Sequence, residues 1–209
     1  MKNIVIFISF LIFSELIFAQ VDKINNVNQD SILKFNLEII RTKDQTLRLI
    51  LPELENRFGK DSEELKYIWT LIHFQDSINE VEITRIIDNH GWIGTNRIGE
   101  LANQTLWLVI QHAPIEIQEK YIPYLRTSVK NGESEGWYLA FLEDRIAMRN
   151  GEKQIYGTQS TFNKKTGKYH IYPIHNSENV NERRKEIGLE TIEKYALENR
   201  YIIDKKEKE

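Results

Sequence analysis

Residues 97–112 read Arg-Ile-Gly-Glu-Leu-Ala-Asn-Gln-Thr-Leu-Trp-Leu-Val-Ile-Gln-His. On a helical wheel Ile98, Leu101, Ala102, Thr105, Leu108 and Val109 gather on one side, and Glu100, Asn103, Gln104 and Gln111 on the other. The stretch therefore predicts an amphipathic helix laid against a core. Ala113-Pro114 ends it, because proline lacks the N–H that would continue the ladder.

Helical spacing extends in both directions from this segment. Upstream, Ile32, Phe35, Ile39, Ile40, Leu47, Ile50, Leu51 and Leu54 recur every three or four residues, predicting one or two helices over 25–57 with a kink or fresh first turn at Pro52. The acidic, cap-like Asp61-Ser62-Glu63-Glu64 opens a second helix through Leu65, Ile68, Trp69, Leu71 and Ile72, and residues 82–89 form a third that stops at Gly91. Downstream, residues 116–130 stop at Asn131-Gly132, and residues 137–149 stop at Asn150-Gly151. The period then changes. Residues 154–162 and 168–174 are rich in β-branched and aromatic side chains around Asn163-Lys-Lys-Thr-Gly167, which predicts an antiparallel hairpin with a five-residue loop. A last helix takes its register from Ile187, Leu189, Ile192 and Tyr195. The expected fold is mainly α: a single helical domain over 20–204 with a small antiparallel β-hairpin at about 154–174 near the C-terminus, then a charged tail over 205–209.

The first 19 residues read differently. Lys2, an apolar run over 4–13 and Ala19 before Gln20 form the pattern of a secretory signal peptide cleaved after Ala19. The run is about half the roughly 20 residues that a membrane-spanning helix needs, so no membrane span is expected after cleavage. The expected location is secreted or periplasmic. No cysteine is present, which excludes a disulfide framework and a lipid-modified cysteine. A formal net charge of −3 gives no basic excess for phosphate backbones, so nucleic acid is not an expected partner.

Several polar residues stand where a passive scaffold does not need them. Asp144 falls in the apolar arc of Trp137, Ala140, Phe141, Ala147 and Met148, and an unpaired buried charge is costly, so a partner from another element is expected. It reads either as a tether from helix to hairpin or as a catalytic or ligand-binding carboxylate. His112 lies beside Leu101, Thr105 and Leu108 at a helix C-terminus, where an imidazolium is favoured. Gln111 falls on the opposite, polar side. Asp44 and Arg48 are spaced to pair on a helix surface, next to Gln45. Asp76 and Asn79 are polar on an apolar face, and several such residues suggest a shared polar network. In the hairpin, Tyr156, Thr158 and Ser160 share one face, and Gly157 hints at a bulge or a close approach. The five histidines show no His-Glu-x-x-His helix, so neither a metal nor a cofactor is expected. A Gly-x-Ser-x-Gly elbow, a P-loop and a dinucleotide glycine fingerprint are also absent.

The order of Asp44-Gln45-x-x-Arg48, Asp76-x-x-Asn79, His90-Gly91-Trp92, Trp107-Leu-Val-Ile-Gln111-His112-Ala113, Gln118, Leu142-Glu143-Asp144-Arg145-Ile146, Gln154-x-Tyr156-Gly157-Thr158-Gln159, Pro173-Ile174, Asn181-x-x-Arg184 and Gly188-Leu189 resembles an uncharacterised bacterial family, domain of unknown function 6624. Ile93 stands where that family more often has proline. The resemblance implies a shared fold and a shared site. It raises Gln111, His112, Asp144, Arg145, Tyr156 and Gln159 as site residues, and it implies no reaction. Three functions stay open. One is a binding module in which Asp44, Gln45, Arg48, Gln111, Tyr156 and Gln159, with Asp144 and Arg145, hold a small polar ligand or peptide. Another is a hydrolase with His112 as base, Asp144 as its orienting group or as acid, and Arg145 stabilising negative charge. The third is a structural or protein-interaction domain whose polar core residues only fix the packing.

Overall fold

A computed structural model describes the backbone over residues 2–204 and side chains over 29–204. The side chains of the leader, and all of the tail over 205–209, lie outside the described residues. Eight helices and one two-stranded sheet follow in order: α1 Lys2–Phe58, α2 Glu63–His90, α3 Thr95–Ile98, α4 Glu100–His112, α5 Ile115–Lys130, α6 Gly136–Arg149, β1 Ser160–Asn163, β2 Lys168–Ile171, α7 Val180–Glu186 and α8 Ile192–Asn199. A 3₁₀ turn, Ser177–Asn179, leads into α7. Among the described residues no helix is long and apolar enough to cross a membrane.

Ser62 caps α2 as expected, its hydroxyl accepting from the Leu65 N–H at 3.3 Å. The helix then runs unbroken to Gly91, where two helices were expected, because nothing between Glu63 and His90 interrupts the backbone ladder. Pro52 sits inside α1 without ending it. The predicted helix over 97–112 is instead divided. Gly99 takes φ +79°, a left-handed value that only glycine adopts freely, and it separates α3 from α4.

The wheel drawn for α4 holds only in part. Asn103 and Gln111, expected on the polar side, are buried, while Leu101 is exposed. The reason is position: α4 contacts α1, α2, α5 and α6, so hardly any of its surface faces water. Within it, the Asn103 amide donates to the Ile93 carbonyl at 2.8 Å and to Ser134 Oγ at 2.9 Å. Leu37, Ile40, Ile83, Ile87, Leu106, Ile110, Leu125 and Leu142 fill the main core around it.

The hairpin is real but shorter than predicted. β1 and β2 pair antiparallel from Ser160↔Ile171 to Asn163↔Lys168, leaving a four-residue loop. Residues 154–159 are not strand. They form a loop closed by Gln154, whose amide donates to the carbonyls of Gln159 and Tyr172 and accepts from the Gln159 N–H. The expected alternation of Tyr156 and Thr158 therefore does not apply. Of the predicted last helix only Ile192 and Tyr195 fall in α8, while Ile187 and Leu189 lie in the turn that Gly188 makes after α7; α7 and α8 with Ile171 and Ile174 make a second, smaller core around Val180, Ile192 and Ala196.

Gly157 is the tightest point of the loop. At φ +74°, a Cβ there would lie 2.7 Å from both Ile174 Cδ1 and Ile192 Cδ1. Gly157→Ala combines backbone strain with overpacking, and chemical denaturation is expected to show a loss of about 2–4 kcal/mol.

Candidate functional site

Two helices supply the first constellation before α4 completes it. Asp44 of α1 is buried, and its Oδ2 lies 3.2 Å from His112 Nδ1 at the end of α4. Gln45 Nε2 donates to Asp44 Oδ1 at 2.6 Å. Arg48, one turn on, reaches Asp44 Oδ2 at 3.3 Å and donates to both oxygens of Asp76 on α2, at 2.8 and 2.7 Å. The pair expected on a helix surface is thus a largely buried bridge between two helices. Burial alone would push the Asp44 carboxyl up, but the hydrogen bond and charge of His112, the Arg48 charge and the Gln45 amide together hold it below its ordinary value.

This arrangement fixes the imidazole. When the ring is neutral, the ionised carboxylate accepts a hydrogen bond from Nδ1–H, which leaves Nε2 as the ring's acceptor. Among the described residues Nε2 has no hydrogen-bond partner. His112 borders an open cleft of about 580 Å³ lined also by His73, Asp76, Glu80, Pro114 and Arg149. Burial pushes the Glu80 carboxyl up. Arg149 is held in place by donating to the Ala113 carbonyl at 2.7 Å.

One donor atom each from Asp44, Asp76 and His112 lies within 4.8 Å of the other two, a set that the histidine spacing in the sequence could not reveal because it comes from three helices. Two carboxylates and an imidazole suit a divalent cation. Here the Arg48 guanidinium already bridges the two carboxylates and offsets part of their charge.

The second constellation surrounds Asp144, which is fully buried in α6. Its Oδ1 accepts from the N–H groups of Ile155 and Tyr156 at 2.7 and 3.0 Å, and its Oδ2 from the Thr158 N–H and hydroxyl, both at 2.9 Å. Burial pushes its carboxyl up, against the pull of the Tyr156, Thr158 and Ile155 donors. The carboxylate is a tether from helix to loop.

The residues expected at one site therefore divide. Asp44, Gln45, Arg48 and His112 meet at the cleft. Asp144 shares no hydrogen bond with His112, so the carboxylate that orients the imidazole is Asp44 and not Asp144. Gln111 and Gln159 meet elsewhere, both donating to the Phe141 carbonyl at 3.2 and 3.4 Å. Tyr156 takes part through its backbone, its carbonyl accepting from Arg184 at 2.7 Å. Arg145 has no hydrogen bond to any described residue, and its Nε is buried. The cleft residues His73, Glu80 and Arg149 were not singled out in the sequence, although Arg149 follows Arg145 by one helical turn. Arg184, fully buried against the Tyr195 ring at 5.0 Å, had its only signal in the Asn181-x-x-Arg184 stretch.

The fold and this site define a helical protein in which a carboxylate-oriented histidine opens on a cleft while a second buried carboxylate holds a C-terminal hairpin unit. The model of the family of unknown function DUF6624 matches residues 33–206, and the chain belongs to that family. No curated protein and no solved structure matches the chain.

Two outcomes are expected. Asp144→Ala leaves three loop N–H groups without an acceptor, and Asp144→Asn turns an amide nitrogen towards them; denaturant unfolding is expected to show the alanine variant less stable by about 3–5 kcal/mol. For Asp44, whose folded pKa is lowered, the stabilisation is complete above the unfolded value near 3.8 and is lost as pH falls through the lower folded value. Unfolding curves between pH 2 and 6 should show that acid loss in the native chain and a shallower one in Asp44→Asn.

Proposed function

We propose that the protein is exported and binds a small polar ligand or peptide in the cleft beside His112. The observation that supports this most is the free Nε2 of an imidazole whose other nitrogen is fixed by Asp44. A ligand group placed there meets an oriented acceptor without the cost of ordering it. With Asp76 held by Arg48, Glu80 and Glu116 still outnumber the guanidinium of Arg149 around the cleft, which favours a ligand that donates hydrogen bonds, such as an amine or a peptide N-terminus.

The binding reading is tested by following the His112 ring nitrogens by NMR during titration with amines, dipeptides and neutral sugars. At least one class is expected to shift them saturably, and His112→Ala to weaken its binding about tenfold to a hundredfold. If binding occurs but leaves those nitrogens unmoved, the cleft is not the site.

A second reading has a specific basis. The contact between Asp44 and Nδ1 leaves His112 arranged as a general base, so the cleft also suits hydrolysis with water as nucleophile. In an activity screen on amide and ester substrates, that reading expects His112→Ala to lower kcat by about 10²–10⁴. It also expects Asp44→Asn to lower kcat, with KM little changed.

A further inference from the structure

Contacts along their length show that α1, α4 and α6 run side by side in the same direction. Arg97, just before α4, bonds Asp30 of α1 at 2.6 Å, and His112 meets Asp44. Asn103 meets Ser134 just before α6, Gln111 meets the Phe141 carbonyl, and Ala113 meets Arg149. The α6 stripe of Trp137, Phe141 and Arg145 therefore lies along the α4 stripe of Trp107 and Gln111. The rings confirm the register, with Trp107 to Trp137 at 4.8 Å and Trp107 to Phe141 at 6.2 Å. In an α-helix the Phe141 carbonyl accepts the Arg145 backbone N–H, so the Gln111 amide at that carbonyl sits against the turn that carries Arg145.

Four buried polar atoms along this seam have no partner among the described residues: Arg145 Nε, Gln111 Oε1, Trp107 Nε1 and Arg41 Nη1. Arg41 belongs to the same seam, since its charge acts on the Tyr138 hydroxyl, and the Tyr138 ring stacks on Trp107 at 5.2 Å. Glu100 and Glu135 act on Tyr138 as well, but neither forms an ion pair with Arg41. Arg145 is the more isolated cation. The groups that act on it are the like-charged Arg149 and the Tyr195 hydroxyl, with no carboxylate among them, and burial with Arg149 lowers its pKa to about 10. A half-buried guanidinium whose Nε is sealed from solvent without a partner or a counter-charge is costly.

We propose that this seam is a second site, separate from the His112 cleft, and that it takes an oxyanion, a carboxylate or a phosphate, anchored on Arg145. Three of the unpartnered atoms are donors and one, Gln111 Oε1, is an acceptor. That set matches an anion that also carries one hydroxyl, such as a 2-hydroxy acid or hydrogen phosphate. The aromatic wall of Trp107, Trp137 and Phe141 excludes water from one side and strengthens the charge pairing.

The test follows the Nε–H resonance of Arg145 in the full chain by NMR, together with tryptophan fluorescence, during titration with inorganic phosphate in one arm and glycolate in the other, with chloride at matched ionic strength. A saturable shift in one arm and not in chloride is expected, and the responding arm identifies the head group. Arg145→Lys, which keeps the charge but loses the planar fork, should weaken binding about tenfold. Arg145→Met should abolish it, and His112→Ala should leave it unchanged, which separates this site from the cleft. If Arg145→Met does not fold, the Lys variant decides. Wild-type protein that responds to neither anion, or an Arg145→Lys response equal to that of wild type, overturns the proposal.

Discussion

Between Gln154 and Gln159, which bond backbone to backbone with residues 172–175, the loop over 155–158 has no partner strand, so its backbone polar groups are met by side chains. Asp144 solves the donor half of that problem. One carboxylate takes three consecutive-region N–H groups and a hydroxyl, which a neutral side chain could not do with the same geometry. The acceptor half falls to cations and hydroxyls. Arg183 donates to the Ile155 carbonyl at 3.0 Å, Arg184 to that of Tyr156 at 2.7 Å, and the Tyr195 hydroxyl to that of Thr158 at 2.9 Å. The loop is thus held from one side by an acid on α6 and from the other by α7 and α8. Through it the small core around Ile192 is joined to the main core around α4.

Gly157 follows from that constraint. A loop drawn this closely onto one carboxylate must turn within few residues, and the turn passes against Ile174 and Ile192 with no room for a side chain. Gln154 then closes the loop by taking both a carbonyl and an N–H of Gln159. Tyr156 and Gln159, expected from the sequence to bind a ligand, here help hold the loop, Tyr156 through its N–H and carbonyl and Gln159 through its amide on the Phe141 carbonyl.

Legibility followed the range of the interaction. Ser62, Gly91 and the Asn-Gly stops at 131–132 and 150–151 act within a few residues, and they placed helix ends correctly. The division at Gly99 was missed because the apolar period continues across it; only the backbone angle reveals it. Asp144 was visible as a charge in an apolar arc. Its partners were not, because backbone N–H groups carry no residue signature. His112 meets an acid 68 positions away, and a wheel can show which way the ring points but not what waits there. The burial of Asn103 and Gln111 escaped for a related reason: a helix surrounded on nearly every side has no true polar face to find.

Asp44 and Asp144 are both buried carboxylates, and they differ in what surrounds them. Asp144 is met entirely by donors fixed to the loop it holds, and moving any of them would unfold that loop. Asp44 is met by side chains: an imidazole that can gain or lose a proton, a guanidinium shared with Asp76, and an amide. Burial pushes one carboxyl up against its donors, while charge partners hold the other down. A carboxylate whose partners can change charge or swing away transmits an event at the cleft, whereas one locked by backbone donors cannot. That difference in partners, more than burial or depth, is what separates the site of proposed function from the tether that keeps the hairpin in place.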